Sequence, residues 1–371
     1  MSMILDGSNG VTFNDASLQG AAASPYVLKN RIINGAMVID QRNAGASVSV
    51  TAGTVKRSVD MFGADIGAGI DGVFSMQQST TVPTTGYKNS LALTVTTANT
   101  DASSGRYYRF YTGIEGFNVA DLNSGSATAA TVTLSFWVRS SLTGTYCVGF
   151  QNAAFNRSYA ANYTINSANT WEQKSITLTL DTTGTWANDN TAGLKIFWDL
   201  GSGSSFQQTA NTWAASNTWL TSSQTNWINT NGATFYITGV QLEQNTSATP
   251  FERRLYNQEL ANCQRYYQKS YAQGTAPGTN TSTGCVTFRE YGTNVFLPNF
   301  QRSLIVTMRG SPTITWYTTG GTAGSVTVGV GTNTINTQYD ISDASTGWVY
   351  INGSVSSGSQ IYAQFTASAE L

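Results

Sequence analysis

The chain contains no histidine. That absence excludes Ser-His-Asp and Cys-His catalysis, histidine-ligated zinc and histidine pH switching. Any proton transfer would fall to carboxylates, lysine or tyrosine. Charge is scarce as well. Only 11% of residues are charged and the net charge is −1, so there is no basic footprint for nucleic acid or an anionic membrane. The three cysteines, Cys147, Cys263 and Cys285, are odd in number and widely spaced, which argues against a disulfide framework and reads as three small apolar residues. No apolar run reaches membrane-spanning length. The N-terminus lacks the basic segment and apolar core of a secretory signal, so no such signal is visible. There is no Gly-Lys-Ser/Thr phosphate loop and no dinucleotide fingerprint, and no cofactor or metal is expected. A fixed-period repeat is missing, which argues against a β-helix or a propeller. No heptad run is long enough for a coiled-coil shaft.

What is present is Gly, Ser, Thr and Asn in quantity, together with 12% aromatic residues, too many for a disordered chain. This composition suits a β-rich protein with many tight turns. The 371 residues allow two or three domains. Residues 1–29 read as a separate segment, an anchor or oligomer contact or else a leader packed on the main domain, with Met3-Ile4-Leu5 and Val11-Thr12-Phe13 able to pair across an Asp-Gly-Ser-Asn-Gly turn. Such a piece buries no core alone, and Ile4, Leu5, Val11 and Phe13 are its candidate anchoring side chains. Residues 30–250 read as strand after strand. Leu91, Leu93 and Val95 alternate with polar residues, as do Val132, Leu134, Phe136 and Val138, then Ile176, Leu178 and Leu180, then Leu194, Ile196 and Trp198. One apolar face per strand implies antiparallel sheets packed face to face in a jelly roll of eight or more strands.

Residues 201–232 break this pattern. Phe206, Trp213, Trp219 and Trp227 sit at irregular intervals among amides and hydroxyls. Aromatic faces beside such groups suit sugar binding, in which the ring stacks on the sugar and its hydroxyls find donors and acceptors. The same residues would equally serve as anchors that hold a long loop on the sandwich. Arg106, Tyr107, Tyr108, Arg109, Phe110 and Tyr111 form a weaker case of the same kind, on a strand or a loop edge.

The stretch 234–271 organises the chain. Phe235 and Ile237 alternate with Tyr236 and Thr238, and the apolar phase shifts after Gly239, which predicts a bulge there. Pro250 ends the extended part. A connecting helix follows within 251–272, with Asn257 as its N-cap, Glu259 in the first turn and Lys269 in the last. Tyr256, Leu260, Cys263 and Tyr267 fall on one face of it. That face either meets copies of itself at a symmetry axis or covers a sheet of its own chain. Residues 273–371 read as a turn-rich connection and a second, smaller β-sandwich, with strands around Val286 and Phe288, Ile314 and Trp316, Trp348 and Tyr350, and Ile361, Ala363 and Phe365.

Several short segments carry a resemblance. They are Gly7-Ser8-Asn9-Gly10-Val11-Thr12-Phe13, Asn30-Arg31-Ile32-Ile33-Asn34-Gly35-Ala36-Met37 and Ile39-Asp40-Gln41-Arg42-Asn43. Phe235, Gln241-Leu242-Glu243, Pro250-Phe251-Glu252, Glu259-Leu260-Ala261 and Cys263-Gln264-Arg265-Tyr266-Tyr267 complete the set. Together they resemble a module of tailed-bacteriophage fibres and related virion structural proteins, in which the last segment closes a jelly-roll domain like a carbohydrate-binding module. Val59-Asp60-Met61-Phe62 departs from the aromatic-rich Asp-Arg-Trp-like strand usual there. The resemblance implies a homotrimeric tail fibre in the virion that docks to other tail or capsid proteins through residues 1–29. It would attach the particle to the host by binding a surface glycan, without enzymatic activity. A head-fibre or capsid-decoration protein with no receptor is a second reading, and a polysaccharide-cleaving spike a third. Asp189, Asp199, Glu115 and Asp121 are carboxylates a spike could use, though nothing in their sequence context distinguishes them from turn residues. Asp189 also lies in Trp186-Ala187-Asn188-Asp189-Asn190, where calcium is conceivable.

Overall fold

The computed structural model describes residues 29–83, 86–101, 103–287, 303–329 and 360–371 with their side chains. It describes the backbone alone at 4–6, 10–12, 18–19, 288–289, 300–302, 333–334, 338–339 and 346–351. Every ladder between described strands is antiparallel. Residues 48–243 form a sandwich of two sheets. One has six strands in the order Glu172–Thr179, Thr131–Ser140, Thr234–Glu243, Ser90–Thr97, Val73–Ser79 and Val48–Val50. The other has seven, in the order Trp213–Ala214, Ser158–Ile165, Gly144–Gln151, Ala192–Asp199, Tyr108–Glu115, Phe62–Ile66 and Lys56–Arg57. The expected all-β antiparallel jelly-roll architecture is therefore present.

The alternating residues set this arrangement. Leu134 and Phe136 from one sheet and Phe110, Phe150, Ile196 and Trp198 from the other are buried in one core. Trp198 stacks flat on Phe110 with centroids 5.1 Å apart and takes Phe136 edge-on at 5.8 Å, the two geometries favoured by ring quadrupoles. On the polar face of the six-stranded sheet, Thr133 and Thr177 stand opposite each other and share a hydroxyl hydrogen bond of 2.8 Å. The bulge expected at Gly239 is there. Ser135 pairs with Gln241 but Trp137 with Thr238, so one residue is extra, and Gly239 has φ +63°.

The helix runs Tyr256–Gln264 and departs from the sequence reading at both ends. Leu255 is the N-cap residue and no side chain caps it, while Asn257 lies inside the first turn. Tyr267 and Lys269 are not helical. They lie in the strand Tyr267–Lys269, which pairs with Gln360–Ser368 in the C-terminal sheet. The helical periodicity through Tyr267 was misleading because a turn at Arg265 and Tyr266 carries the chain directly into a strand. The C-terminal unit thus begins before residue 273. Its central strand, Gln360–Ser368, is flanked by Tyr267–Lys269 and Val286–Arg289 on one side and by Thr313–Tyr317 and Thr327–Val328 on the other. Ile314, Trp316, Ile361, Ala363 and Phe365 form its core. Phe300–Ser303, Thr346–Ile351 and Gln338–Tyr339 make a second small sheet. At the other end of the chain, Ile4–Asp6 pairs with Gly10–Thr12, as the sequence there predicts.

Candidate functional site

The loop 201–232 lies across the outer face of the seven-stranded sheet, and its aromatic residues are mostly fasteners. Trp219 is 1% exposed. It covers Gly149, where a Cβ would overlap it, and it stacks on Phe206 with centroids 4.1 Å apart. Its Nε1 donates to Asp199 Oδ2 at 2.7 Å. Trp227 is 0% exposed and packs in the main core edge-on to Phe74. Neither ring has a face open to a sugar, which corrects the expectation for both: a long polar loop stays ordered by burying its large apolar residues. Trp213 is half-buried between Tyr159 and Trp186, and its Nε1 donates to the Thr179 carbonyl at 2.9 Å. Phe206 is half-buried against Trp219 and Tyr107.

Beside this loop the outer face of the sheet presents three rungs, fixed by strand register. The first is Asp65, Arg109 and Asp199, and the second is Gly63, Tyr111, Phe197, Gly149 and Ala160. The third is Gly113, Lys195, Gln151 and Ser158. Arg109 is the centre of the first rung. Its guanidinium forks onto Asp65, with Nε to Oδ1 at 3.0 Å and Nη2 to Oδ2 at 3.1 Å. It also lies 4.8, 4.5 and 4.6 Å from the ring centroids of Tyr107, Phe197 and Trp219. A planar cation packed among rings in this way is held rigid. Tyr107, Arg109, Phe155 and Lys195 are all half-buried, so this strip of rings and cations reaches the surface. Lys195 Nζ sits 4.8 Å over the Phe155 ring. Burial lowers its pKa, and Arg109 and Arg57 push the same way.

Phe155 is the residue that sequence reasoning missed. It stands on the connection between Gly144–Gln151 and Ser158–Ile165 with φ +54°, a left-handed backbone uncommon for a bulky L-residue. Asn152 enforces it: its Oδ1 accepts from the Asn156 and Arg157 amides at 3.1 Å each, and the Phe155 amide donates to the Asn152 carbonyl. Strain of this kind persists where surrounding structure over-determines it. The alternation of Leu194, Ile196 and Trp198 already placed Lys195 and Phe197 together on the opposite face. The arrival of Phe155 from another loop left no sequence signal.

The candidate carboxylates are each committed elsewhere. Asp199 accepts from Trp219, from Gln224 Nε2 and from the Gly201 and Ser202 amides. Glu115 accepts from Arg265 and from the Tyr266 hydroxyl at 2.7 Å. Asp121 pairs with Arg31. Asp189 closes a turn by accepting from the Thr191 amide and hydroxyl. Among the described residues no three His, Cys, Asp or Glu gather as a metal site. Burial pushes the Cys147 thiol up to about 12, so it is no nucleophile at neutral pH.

The segments behind the resemblance form a clasp. The Asn30 amide donates to Glu252, and Asn30 Oδ1 accepts from the Ile32 and Leu242 amides. The Asn34 amide donates to Glu259, while its Nδ2 donates to the Ile39 and Asp60 carbonyls at 2.9 Å. Arg254 donates to the Asn30 and Ile32 carbonyls. Gly35 lies so close to the Val240 carbonyl that no Cβ would fit. Those residue types at those spacings therefore fasten residues 30–41 to the last sandwich strand and the helix. Of the proposed oligomer face, Cys263 and Tyr267 are buried within their own chain and Leu260 packs on the sandwich core. Only Tyr256, 56% exposed, stays open, next to Leu255 at 75%. The side chains of Ile4, Leu5, Val11 and Phe13 lie outside the described residues.

No protein-family model matches the chain, and no curated protein matches it. Solved structures do. The enzymatically active domain of tailspike protein 4 of bacteriophage CBA120 matches at 14% identity and a TM-score of 0.31, over 61% of this chain. The chain spans 22% of that domain's length. A family 11 carbohydrate-binding module from Clostridium thermocellum, in complex with a mixed-linked tetrasaccharide, matches at 12% identity and a TM-score of 0.28, over 54% of this chain and 98% of its own. The xylanase 10B modules of Clostridium thermocellum, complexed with xylohexaose, match at 11% identity and a TM-score of 0.27, over 59% and 30%.

Proposed function

We propose that this chain is a non-enzymatic tail fibre protein that attaches a bacteriophage to its host by binding a surface glycan. The outer face of the seven-stranded sheet is the contact. The observation that carries this reading is the strip of half-buried Tyr107, Arg109, Phe155 and Lys195 that reaches the surface over Tyr111 and Phe197. Tyr107 is held by the locked Arg109 and by edge-on contacts with Phe206 and Trp219, and Phe155 by a tilted contact with Phe197 and the Asn152 hydrogen bonds, so both lose little freedom when a sugar stacks on them. The buried Gln151 of the third rung donates to the Asn217 side chain at 3.0 Å and to the Thr218 carbonyl at 3.2 Å, and Asn217 is exposed beside it. Placement in the virion, assembly as a homotrimer and docking through residues 1–29 belong to the same reading and rest on the sequence resemblance. Of the expected oligomer face, Tyr256, with Leu255 next to it, is exposed and free to meet a neighbouring copy.

Binding of purified, labelled chain to intact bacteria of several strains tests it. Saturable binding that is lost after periodate oxidation of the cell-surface sugars is expected. Binding that survives periodate, or no binding to strains on which a virion carrying the protein adsorbs, would contradict it. The structural reading as a head fibre or decoration protein predicts that second result.

A further inference from the structure

We infer that the sugar taken by this face carries an acidic group, carboxylate or phosphate, and that Lys195 is the residue that selects it. The inference rests on the proposed glycan site. The cations near this face are nearly all spent within the chain. Arg109 is forked onto Asp65. Arg42 is paired with Asp60 and Glu370, and Arg57 with Glu370. Arg309 donates to the carbonyls of Asn190, Ala369 and Glu370. Lys195 differs: among the described residues its ammonium meets the Phe155 ring and no carboxylate. Its rung neighbours do not neutralise it. Gly113 has no side chain, and Gln151 presents a buried Oε1 without a hydrogen-bond donor.

The surrounding field has the same sign. Arg109, Arg57 and Arg309 act on Lys195 as like charges and Asp65 as an opposite one. A half-buried ammonium with a ring but no carboxylate beside it is a poor place for a neutral ligand to gain selectivity and a good place for an anion, which supplies the missing countercharge. Phe155 then stacks on the ring of the same sugar while Lys195 holds its acidic substituent. A compact ammonium with three rotatable donors suits either anion, because it does not demand the planar match a guanidinium makes.

The test measures binding of the full chain to polygalacturonate and to a glycerol-phosphate teichoic acid. Each is set beside its neutral form, carboxyl-reduced or dephosphorylated, and beside a panel of neutral polysaccharides. At least tenfold tighter binding to one acidic polymer than to its neutral form is expected, with Lys195→Met erasing the difference and Lys195→Arg keeping part of it. Which polymer shows the effect separates carboxylate from phosphate. Melting temperatures of both variants report folding, and the arginine variant keeps the inference exposed should the methionine variant unfold. Neutral sugars bound as tightly as acidic ones overturn the inference and leave the glycan site standing. So does equal loss on both forms in Lys195→Met. Absence of binding to every polysaccharide removes the glycan site itself, and the inference with it.

Discussion

Two sets of aromatic residues meet on the seven-stranded sheet, and they do opposite work. The set in the loop 201–232 is conspicuous in the sequence, three tryptophans in a polar stretch, yet Trp219 and Trp227 are buried fasteners. The set on and around Tyr108–Glu115 is the weaker of the two in sequence, yet Tyr107 and the neighbouring Phe155 reach the surface beside Arg109 and Lys195. The difference lies in backbone regularity. An irregular loop gains order only from what it buries. A strand is already ordered by its ladder, so the alternate side chains on its outer face, Lys195 among them, are free for other uses, while Phe155 on its loop is fixed by the Asn152 hydrogen bonds instead.

The sharpest way to break this comparison is to remove a fastener. Trp227→Ala is expected to cost about 3–5 kcal/mol, as a fully buried tryptophan does, and to lose binding only by unfolding, as denaturant titration followed by binding would show. The joint between the units comes next. Arg265→Met leaves the 1%-exposed Glu115 carboxylate with only the Tyr266 hydroxyl, a loss of about 3 kcal/mol by the same titration. Third is the buried Asp60 beside Arg42. Burial raises its carboxyl to about 6, and Arg42 only partly offsets this. A raised acid stabilises the fold fully below its unfolded value, near pH 4, and that contribution is lost as the pH rises through 6. Stability should therefore fall by on the order of 2 kcal/mol across that window, and the fall should vanish in Asp60→Asn. Glu172 works in the other direction: burial opposes the shift, but hydrogen bonds from Lys174, Ser167 and Asn166 outweigh it and hold the carboxyl at about 2, so its contribution is lost only as the pH falls below 4. Gly239→Ala is next, at about 1–3 kcal/mol, because φ is +63° and a Cβ would lie 2.6 Å from the Tyr87 hydroxyl. Phe155→Gly has the smallest effect on stability, within about 0.5 kcal/mol of wild type, since relief of the left-handed strain offsets the lost ring contacts.

The alternation of Val132, Leu134 and Phe136, and of Leu194, Ile196 and Trp198, made the sandwich legible, because a period of two assigns each side chain to a face without further information. The Gly239 bulge was legible for the same reason. The helix was legible in its centre but not at its ends, where a turn fused it to a strand of another sheet. Which residues cover a sheet's outer face was not legible, since Trp219 and Phe155 come from loops whose path depends on tertiary contacts. The segments that carry the resemblance proved to be the clasp of Asn30, Asn34, Gly35, Arg254 and Glu259, so they mark how the chain is closed rather than what it binds.

The central claim is that the outer face of this sheet meets the host glycan, and Phe155→Gly tests it most directly. Cell binding of the variant, measured beside its melting temperature, should fall at least tenfold while the melting temperature holds. Undiminished binding by the folded variant would contradict the account and move the contact elsewhere on the chain.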